Sequence, residues 1–518
     1  MKNSIYRKPQ VLIITIVLGL AIFGYTITHF YVKHKIEQLL ATNLISTAQI
    51  GYSNMRINLL TSSFALDDIQ ITPKDSLALK TGLSIRKFQV EGVHYIKLIT
   101  NGNIEVEQVL LDRVNVDYFK TDSVQKDVKP ADSKFKQSIL IKNFEVKNSK
   151  FRSFDAKTDS LQFYFQNVAA TLANCKIDST TIKGKIPFSF SSFNFSTGKV
   201  YASLNAYEAI HIASITSNPD HHTLITGFSL KSKYDKNKLQ RRLNKERDYI
   251  NLKIPRIEFK QLDFGARNDK FYVEMASGSL KNLNLEMYRN KLLPDDLTIG
   301  SMFNKTLQEL PIAILVPILK VENGNIKYSE LVETSTNPGE ILFSEVNSVI
   351  ENISTTNDKE IVFKTKAKLM GVAPIELQWS FYTEDERNLF KATGVIKNFN
   401  TQNVNGFLKS NLRAKVEGSI YELYFTISGD EFSSSGDMKM KYQDFGFVVL
   451  HKDRLGVNKV LTTIGNIFTN DGSKTDEYGY RYGEISVERD PTKSFFNYLW
   501  INVKDGILDT FMGNGKKN

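Results

Sequence analysis

The sequence predicts a mainly β protein: an N-terminal transmembrane helix, then an elongated, curled antiparallel β-sheet with a few short helices and a C-terminal amphipathic helix. Three observations carry that reading. A short apolar pattern recurs along the chain, strict polar/apolar alternation fills much of the rest, and one long uncharged run lies near the start. The pattern is Φ-x-Φ-x-x-Φ-x-Φ, with Φ a large apolar residue. Leu83/Ile85/Phe88/Val90 and Ile104/Val106/Val109/Leu111 are two neighbouring copies. Others are Phe64/Leu66/Ile69/Ile71, Ile139/Ile141/Phe144/Val146, Phe188/Phe190/Phe193/Phe195, Leu252/Ile254/Ile257/Phe259 and Ile314/Val316/Leu319/Val321.

On a helix these positions scatter around the axis and share no face. As two alternating strand pieces with one phase slip between them, they return to one side, and a bulge or tight bend supplies the slip. A strand unit used many times points to a quasi-one-dimensional architecture. Alternation such as Ile361/Phe363/Thr365/Ala367/Leu369, Ile375/Leu377/Trp379/Phe381 and Tyr421/Leu423/Phe425/Ile427 implies antiparallel strands with one wetted face. Asn101-Gly102-Asn103, Glu322-Asn323-Gly324-Asn325 and Ser428-Gly429-Asp430 read as the turns between strands.

From Val11 to Val32 there is no Asp, Glu, Lys or Arg. The run, which includes Leu18 and Phe23, is about long enough to cross a bilayer, and longer than a cleavable signal core. The expected organisation is therefore a cytoplasmic stretch (1–10), a membrane anchor (11–32), a helical linker (33–50), a long β region (51–454) and a helical capping region (455–518). Thr121 to Lys136 reads as a linker, Asp235 to Asp248 as an exposed charged helix or loop, and Leu297 to Leu315 as a short helix broken by Pro311 and Pro317. Near the end, Phe496, Leu499, Trp500, Val503, Ile507 and Phe511 fall on one helical face, which Gly506 weakens. That helix caps the sheet or lies on a membrane.

Composition narrows the function. Lys+Arg 67 against Asp+Glu 56 gives +11, spread along the chain without the clustered stripe that nucleic-acid binding requires. A basic surface beside anionic lipid fits as well. The single cysteine, Cys175, excludes an internal disulfide and a multi-thiolate metal site. Asp220-His221-His222 near His211 is the one metal-like grouping, and adjacent histidines on a strand point to opposite faces. The paired acids Asp67-Asp68 and Asp295-Asp296 sit in turn-like contexts. No HExxH, GxSxG, P-loop or Rossmann glycine run is present, so the expectation is a non-enzymatic protein without a cofactor.

Strands with one apolar face must bury it. A sandwich does so against a second sheet. A curled sheet leaves an apolar trough that acyl chains fill, because apolar burial is non-directional and worth about 25 cal/mol per Å². On alternation alone, Ile85, Ile104, Val106, Ile141, Phe163 and Phe190 read as lining such a trough, as do Phe363, Leu377, Trp379, Leu423 and Phe425. A core residue and a trough residue look identical in sequence.

The arrangement resembles the AsmA-like proteins of diderm bacterial envelopes. The resemblance rests on the anchor and on the early strand Ser62-Ser63-Phe64-Ala65-Leu66-Asp67-Asp68-Ile69-Gln70-Ile71. It extends to Leu319-Lys320-Val321-Glu322-Asn323-Gly324-Asn325-Ile326-Lys327-Tyr328, and to the strands around Ile427-Ser428-Gly429 and Ser435 to Tyr442. It implies a single-pass protein of the inner membrane, with the bulk of the chain in the periplasm. It further implies a repeating β-groove related to bridge-like lipid transfer proteins, moving phospholipid or maintaining the outer membrane. Members long enough to bridge the envelope are larger than this chain. The other reading is a structural or assembly factor whose exposed strand edges bind an outer-membrane or periplasmic protein. An anchored hydrolase would need a polar pocket with perturbed carboxylates or histidines.

Overall fold

A computed structural model describes residues 48–73, 81–94, 103–120, 138–184, 186–267, 270–333, 336–355, 359–412, 414–449 and 475–512, together with His34, Lys97, Thr100 and Gly515. The anchor expected at 11–32, the linker from Thr121 to Lys136 and the first part of the expected capping region, 455–474, lie outside these residues. Among the described residues no helix is long and apolar enough to cross a membrane.

The protein is mainly β, with 63% of it in strands. In chain order the strands are β1 (Ala48–Gly51), β2 (Asn54–Asn58), β3 (Ser63–Pro73), β4 (Gly82–Val93), β5 (Ile104–Lys120), β6 (Ile139–Asp155), β7 (Leu161–Ile177), β8 (Ser192–Thr197), β9 (Val200–Ser203), β10 (Glu208–Ile212), β11 (Ser214–Ser217), β12 (Thr223–Ser232) and β13 (Tyr249–Lys260). They continue with β14 (Asp263–Arg267), β15 (Lys270–Glu274), β16 (Ser277–Lys281), β17 (Asn284–Asn290), β18 (Ile312–Leu331), β19 (Gly339–Ser354), β20 (Glu360–Leu369), β21 (Ala373–Tyr382), β22 (Phe390–Asn400), β23 (Ala414–Gly429), β24 (Ser433–Val449) and β25 (Arg481–Glu488). The helices are α1 (Lys236–Gln240), α2 (Phe303–Gln308), α3 (Asn405–Leu412) and α4 (Phe495–Met512). Ala48 to Ile50, expected at the end of a helical linker, are strand.

The chain forms two compact units, one of Met1–Ser203 with Ser214–Pro219, the other of Leu204–Ala213 with Asp220–Asn518. In the first unit, β3 pairs with the edge strands β1 and β2, and β3, β4 and β5 form an antiparallel meander. β5 and β6 are parallel, whereas β6–β7, β7–β8 and β7–β9 are antiparallel. The expectation of a purely antiparallel sheet is thus corrected. A parallel pair cannot be joined by a short hairpin, and β5 and β6 are correspondingly far apart in sequence.

In the second unit, β12 and β13 are antiparallel, and β15, β16 and β17 run parallel to β18 as successive pieces of one broken strand. From β18 to β25 each strand pairs antiparallel with the next. The Glu322-Asn323-Gly324-Asn325 segment is not a chain reversal. It lies inside β18, where Asn323 takes φ 54° and the register shifts on either side of Gly324. Pro317 also sits within β18 rather than ending a helix, at a position the β18–β19 ladder skips. Proline has no N–H to give a ladder, so a skipped position suits it. Ser428-Gly429-Asp430 does turn the chain, with Asp430 N–H donating to Ser433 O at 2.9 Å.

The expected phase slips are visible as interruptions in pairing. Asp67 pairs with Lys87 and Ile69 with Ile85, leaving Asp68 and Arg86 unpaired between them. Ile85 pairs with Val114 and Lys87 with Asp112, leaving Arg86 and Arg113. Asp68 and Arg113 have φ near +50°. Asn148 in β6 and Asn167 in β7 adopt the same left-handed conformation. Asp67-Asp68 is therefore a kink within β3 rather than a turn. A second interruption crosses Gly92, Glu107, Lys142 and Asn174. Each kink restores the apolar residues to the face they would otherwise leave.

Candidate functional site

The paired copies of the apolar pattern meet position for position in the first unit. Phe64 stands opposite Val90, Leu66 opposite Phe88, Ile69 opposite Ile85 and Ile71 opposite Leu83. The pattern reads the same in both directions, so an antiparallel pair of copies matches apolar to apolar throughout. The parallel step preserves the match, with Ile104 beside Ile139, Val106 beside Ile141 and Val109 beside Phe144. β7 extends it through Ile141–Cys175, Phe144–Leu172 and Phe151–Phe165. The result is one apolar face across β3 to β7.

The other face is polar and laddered by charge. Asp67, Lys87, Asp112 and Lys147 stand in one cross-strand row of alternating sign. Arg152 makes a bidentate pair with Asp117 at 2.7 and 2.5 Å. Lys142 donates to Glu107 at 2.6 Å, and that bond, with a second from His94, holds the Glu107 carboxyl below the usual carboxylate range. Opposite signs directly across a ladder stabilise the pair modestly and fix register.

The residues read from sequence as trough-lining divide between two environments. In the first unit Ile85, Ile104, Ile141, Phe163 and Phe190 are half-buried, and Val106 is 4% exposed. Aromatic rings cluster towards β7 and β8: Phe163 lies 6.1 Å from Phe151 and 4.7 Å from Phe165, and Phe190 lies 5.9 Å from Phe193. The only helical element with described bounds in this unit is a three-residue turn at Thr181–Lys183. Among the described residues, every one of the largest side chains below 2% exposure belongs to the second unit.

In the second unit the same alternation builds a closed core. Trp379, Leu423 and Phe425 are 6%, 0% and 7% exposed, and Phe363 and Leu377 pack against the same cluster. Phe407 and Leu408 of α3 and Phe495, Tyr498 and Phe511 of α4 cover it. Trp379 stacks on Phe363 at 4.5 Å and on Phe495 at 4.7 Å. These five residues are core, because helices lie on their face of the sheet.

The buried face of α4 keeps Leu499, Val503, Ile507 and Phe511 of the expected stripe against the core and is rotated away from Phe496 and Trp500. Tyr498, Asn502, Gly506 and Thr510, spaced four apart, face the sheet, while Phe496 is 60% exposed and Trp500 37%. Gly506 belongs to the contact: a Cβ there would lie 2.8 Å from Met438 Cε and 2.9 Å from Ile485 Cγ1. The helix caps the sheet, as one of the two alternatives required.

The charged stretch from Asp235 to Asp248 is a short helix followed by a loop, as expected, but it buries Leu239 and Glu246. Asp235 caps α1 by accepting from Lys238 N–H at 2.8 Å, and Glu246 is 3% exposed. A pocket of about 240 Å³ is lined by Glu208, Glu246, Arg247, Asp248, Arg289 and Asp296 among others. Its acids are all matched. Arg247 is bidentate to Glu208, Arg289 is bidentate to Asp248, and Lys245 reaches Asp296 at 2.8 Å. Glu246 meets Lys291 at 2.5 Å and Lys493 at 3.3 Å. Burial alone would lower the Arg289 guanidinium, but its bond to Asp248 holds it above its ordinary value. Charges so neutralised lock loops together.

The histidine grouping does not assemble. His221 Nδ1 lies 3.1 Å from Leu262 O, and burial lowers His211. Among the described residues no group of three or more His, Cys, Asp or Glu is arranged to hold a metal. No family model and no curated protein matches the chain.

Proposed function

We propose that this protein holds phospholipid acyl chains on the apolar face of its first unit. In this reading the chain is anchored in the inner membrane by residues 11–32, with its bulk in the periplasm, and belongs with the AsmA-like proteins. It serves phospholipid transport or outer-membrane homeostasis without catalysis. The observation that carries the reading is the contrast between the units. The apolar alternation of β20 to β25 is buried beneath helices, whereas that of β3 to β7 mixes buried positions such as Leu66, Ile69, Val106 and Val109 with partly buried ones such as Ile85, Ile104 and Ile141. Water penalises such a face at about 25 cal/mol per Å², and a flexible hydrocarbon chain relieves the penalty without needing directional partners.

The contact residues proposed are Ile85, Ile104, Val106, Ile141, Phe163 and Phe190. The test compares Ile141→Glu with Leu423→Glu in the full chain, measuring co-purified phospholipid and thermal unfolding. Ile141→Glu should lose most of the lipid and remain folded. Leu423→Glu should unfold the second unit. Equal lipid content in Ile141→Glu and the unmodified chain would defeat the proposal.

A further inference from the structure

A strand at the edge of a sheet presents unpaired N–H and C=O groups, and proteins that stay apart must cover them. β25 pairs with β24 on one side. On its other side the N–H groups of Tyr482, Glu484 and Ser486 point outward, one at every second residue. All three are taken by the C-terminal segment. Tyr482 N–H donates to Gly515 O at 3.0 Å, Glu484 N–H to Asp509 Oδ2 at 2.7 Å and Ser486 N–H to Asp505 Oδ2 at 2.9 Å.

The spacing makes this possible. Asp505 and Asp509 are one helical step of four apart, a rise of about 6 Å. Alternate strand residues are about 6.8 Å apart. Two carboxylates on one helix face thus reach two successive outward donors. Close approach is secured by Gly483 and Gly506, since a Cβ on Gly483 would lie 2.5 Å from Thr510 N.

We propose that the outer edge of β25 is a strand-pairing surface that α4 keeps shut, and that its partner when α4 lifts is β25 of a second copy of this chain. The sequence Arg481 to Glu488, RYGEISVE, is self-complementary in an antiparallel pairing centred on Ile485. Gly483 then faces Val487, Ile485 faces itself, Glu484 faces Ser486 and Tyr482 faces Glu488. Between Tyr482 and Glu488 no like charges oppose one another, Arg481 stands opposite Arg489 at each end, and the outward donors fall in hydrogen-bonded pairs. Such a contact is two-fold and closes on itself.

The experiment uses the full chain in detergent micelles, with residue-resolved hydrogen exchange and sedimentation velocity. In Asp505→Ala/Asp509→Ala the amides of Glu484 and Ser486 should exchange at least tenfold faster, with Ile420 to Ile427 unchanged. The variant should associate as concentration rises, relative to the unmodified chain. Adding Ser486→Pro, which removes an outward N–H without touching the β24 ladder, should return it to the unmodified mass. Should the double variant lose its core, the single variants decide: Asp505→Ala should expose only Ser486, and Asp509→Ala only Glu484. Unchanged exchange in the variants overturns the latch. An open edge without added association, or association that survives Ser486→Pro, overturns the pairing surface.

Discussion

A left-handed residue inside a strand costs a side chain with a Cβ about 1–2 kcal/mol, and a β-branched one more, so asparagine, aspartate and glycine are the residues that tolerate it. Among the described residues, eleven of the seventeen non-glycine residues with positive φ are Asn or Asp, so the strand kinks are written in a chemistry that alternation ignores. Asn167→Val should therefore destabilise the first unit by about 1–2 kcal/mol, and Asn167→Gly should leave it unchanged, as read by denaturant unfolding. In the second unit the exposed residue to change is not the informative one. Glu246→Gln keeps the shape of a buried side chain and removes its charge, leaving Lys291 without its carboxylate and Lys493 with Asp295 alone. A loss of about 3 kcal/mol in thermal or chemical unfolding is expected, since breaking one side of a buried pair strands the other charge. Nothing in the run DKNKLQRRLNKERD marks Glu246 as buried. Its charged partners, Arg289, Lys291 and Lys493, lie more than 40 residues away.

At the scale of the element, alternation located many of the long strands but could not set their connections. β18 shows why. Its Asn-Gly pair has the chemistry of a hairpin turn, yet neighbours on both sides, β17 and β19, hold the strand straight through it and use the left-handed residue for a bulge. Tertiary pairing overrode a local signal. Gly418 in β23 is the complementary case, with φ +80° and a Cβ position that would run into the Asp444 carbonyl. Gly418→Ala should cost about 2–4 kcal/mol and fail by loss of β23–β24 pairing, measurable as faster amide exchange on both strands. For α4, the helix was legible from its periodicity. Its buried stripe was legible in part: Leu499, Val503, Ile507 and Phe511 do pack, but Asn502, Gly506 and Thr510 carry no hydrophobic signal, and the large apolar Phe496 and Trp500 pulled the expected face to one side.

At the scale of the whole molecule, one pattern has two outcomes. Alternating strands β20 to β25 of the second unit are covered by α3 and α4, and those of the first unit leave Ile85, Ile141 and Phe163 partly exposed. Sequence could identify the apolar set in both units. It could not say which set a helix covers, because that is decided by how the helices dock on the sheet and not by the strands' own pattern. The proposed lipid function rests on that difference. Its most direct test is site-specific photo-crosslinking in cells, with a benzophenone amino acid placed at Ile141 or at the adjacent Lys142, which faces the charged side. Mass spectrometry of the purified protein should find phospholipid adducts at position 141 and none at 142. Adducts absent from 141, or equal at both positions, would contradict a lipid-holding face.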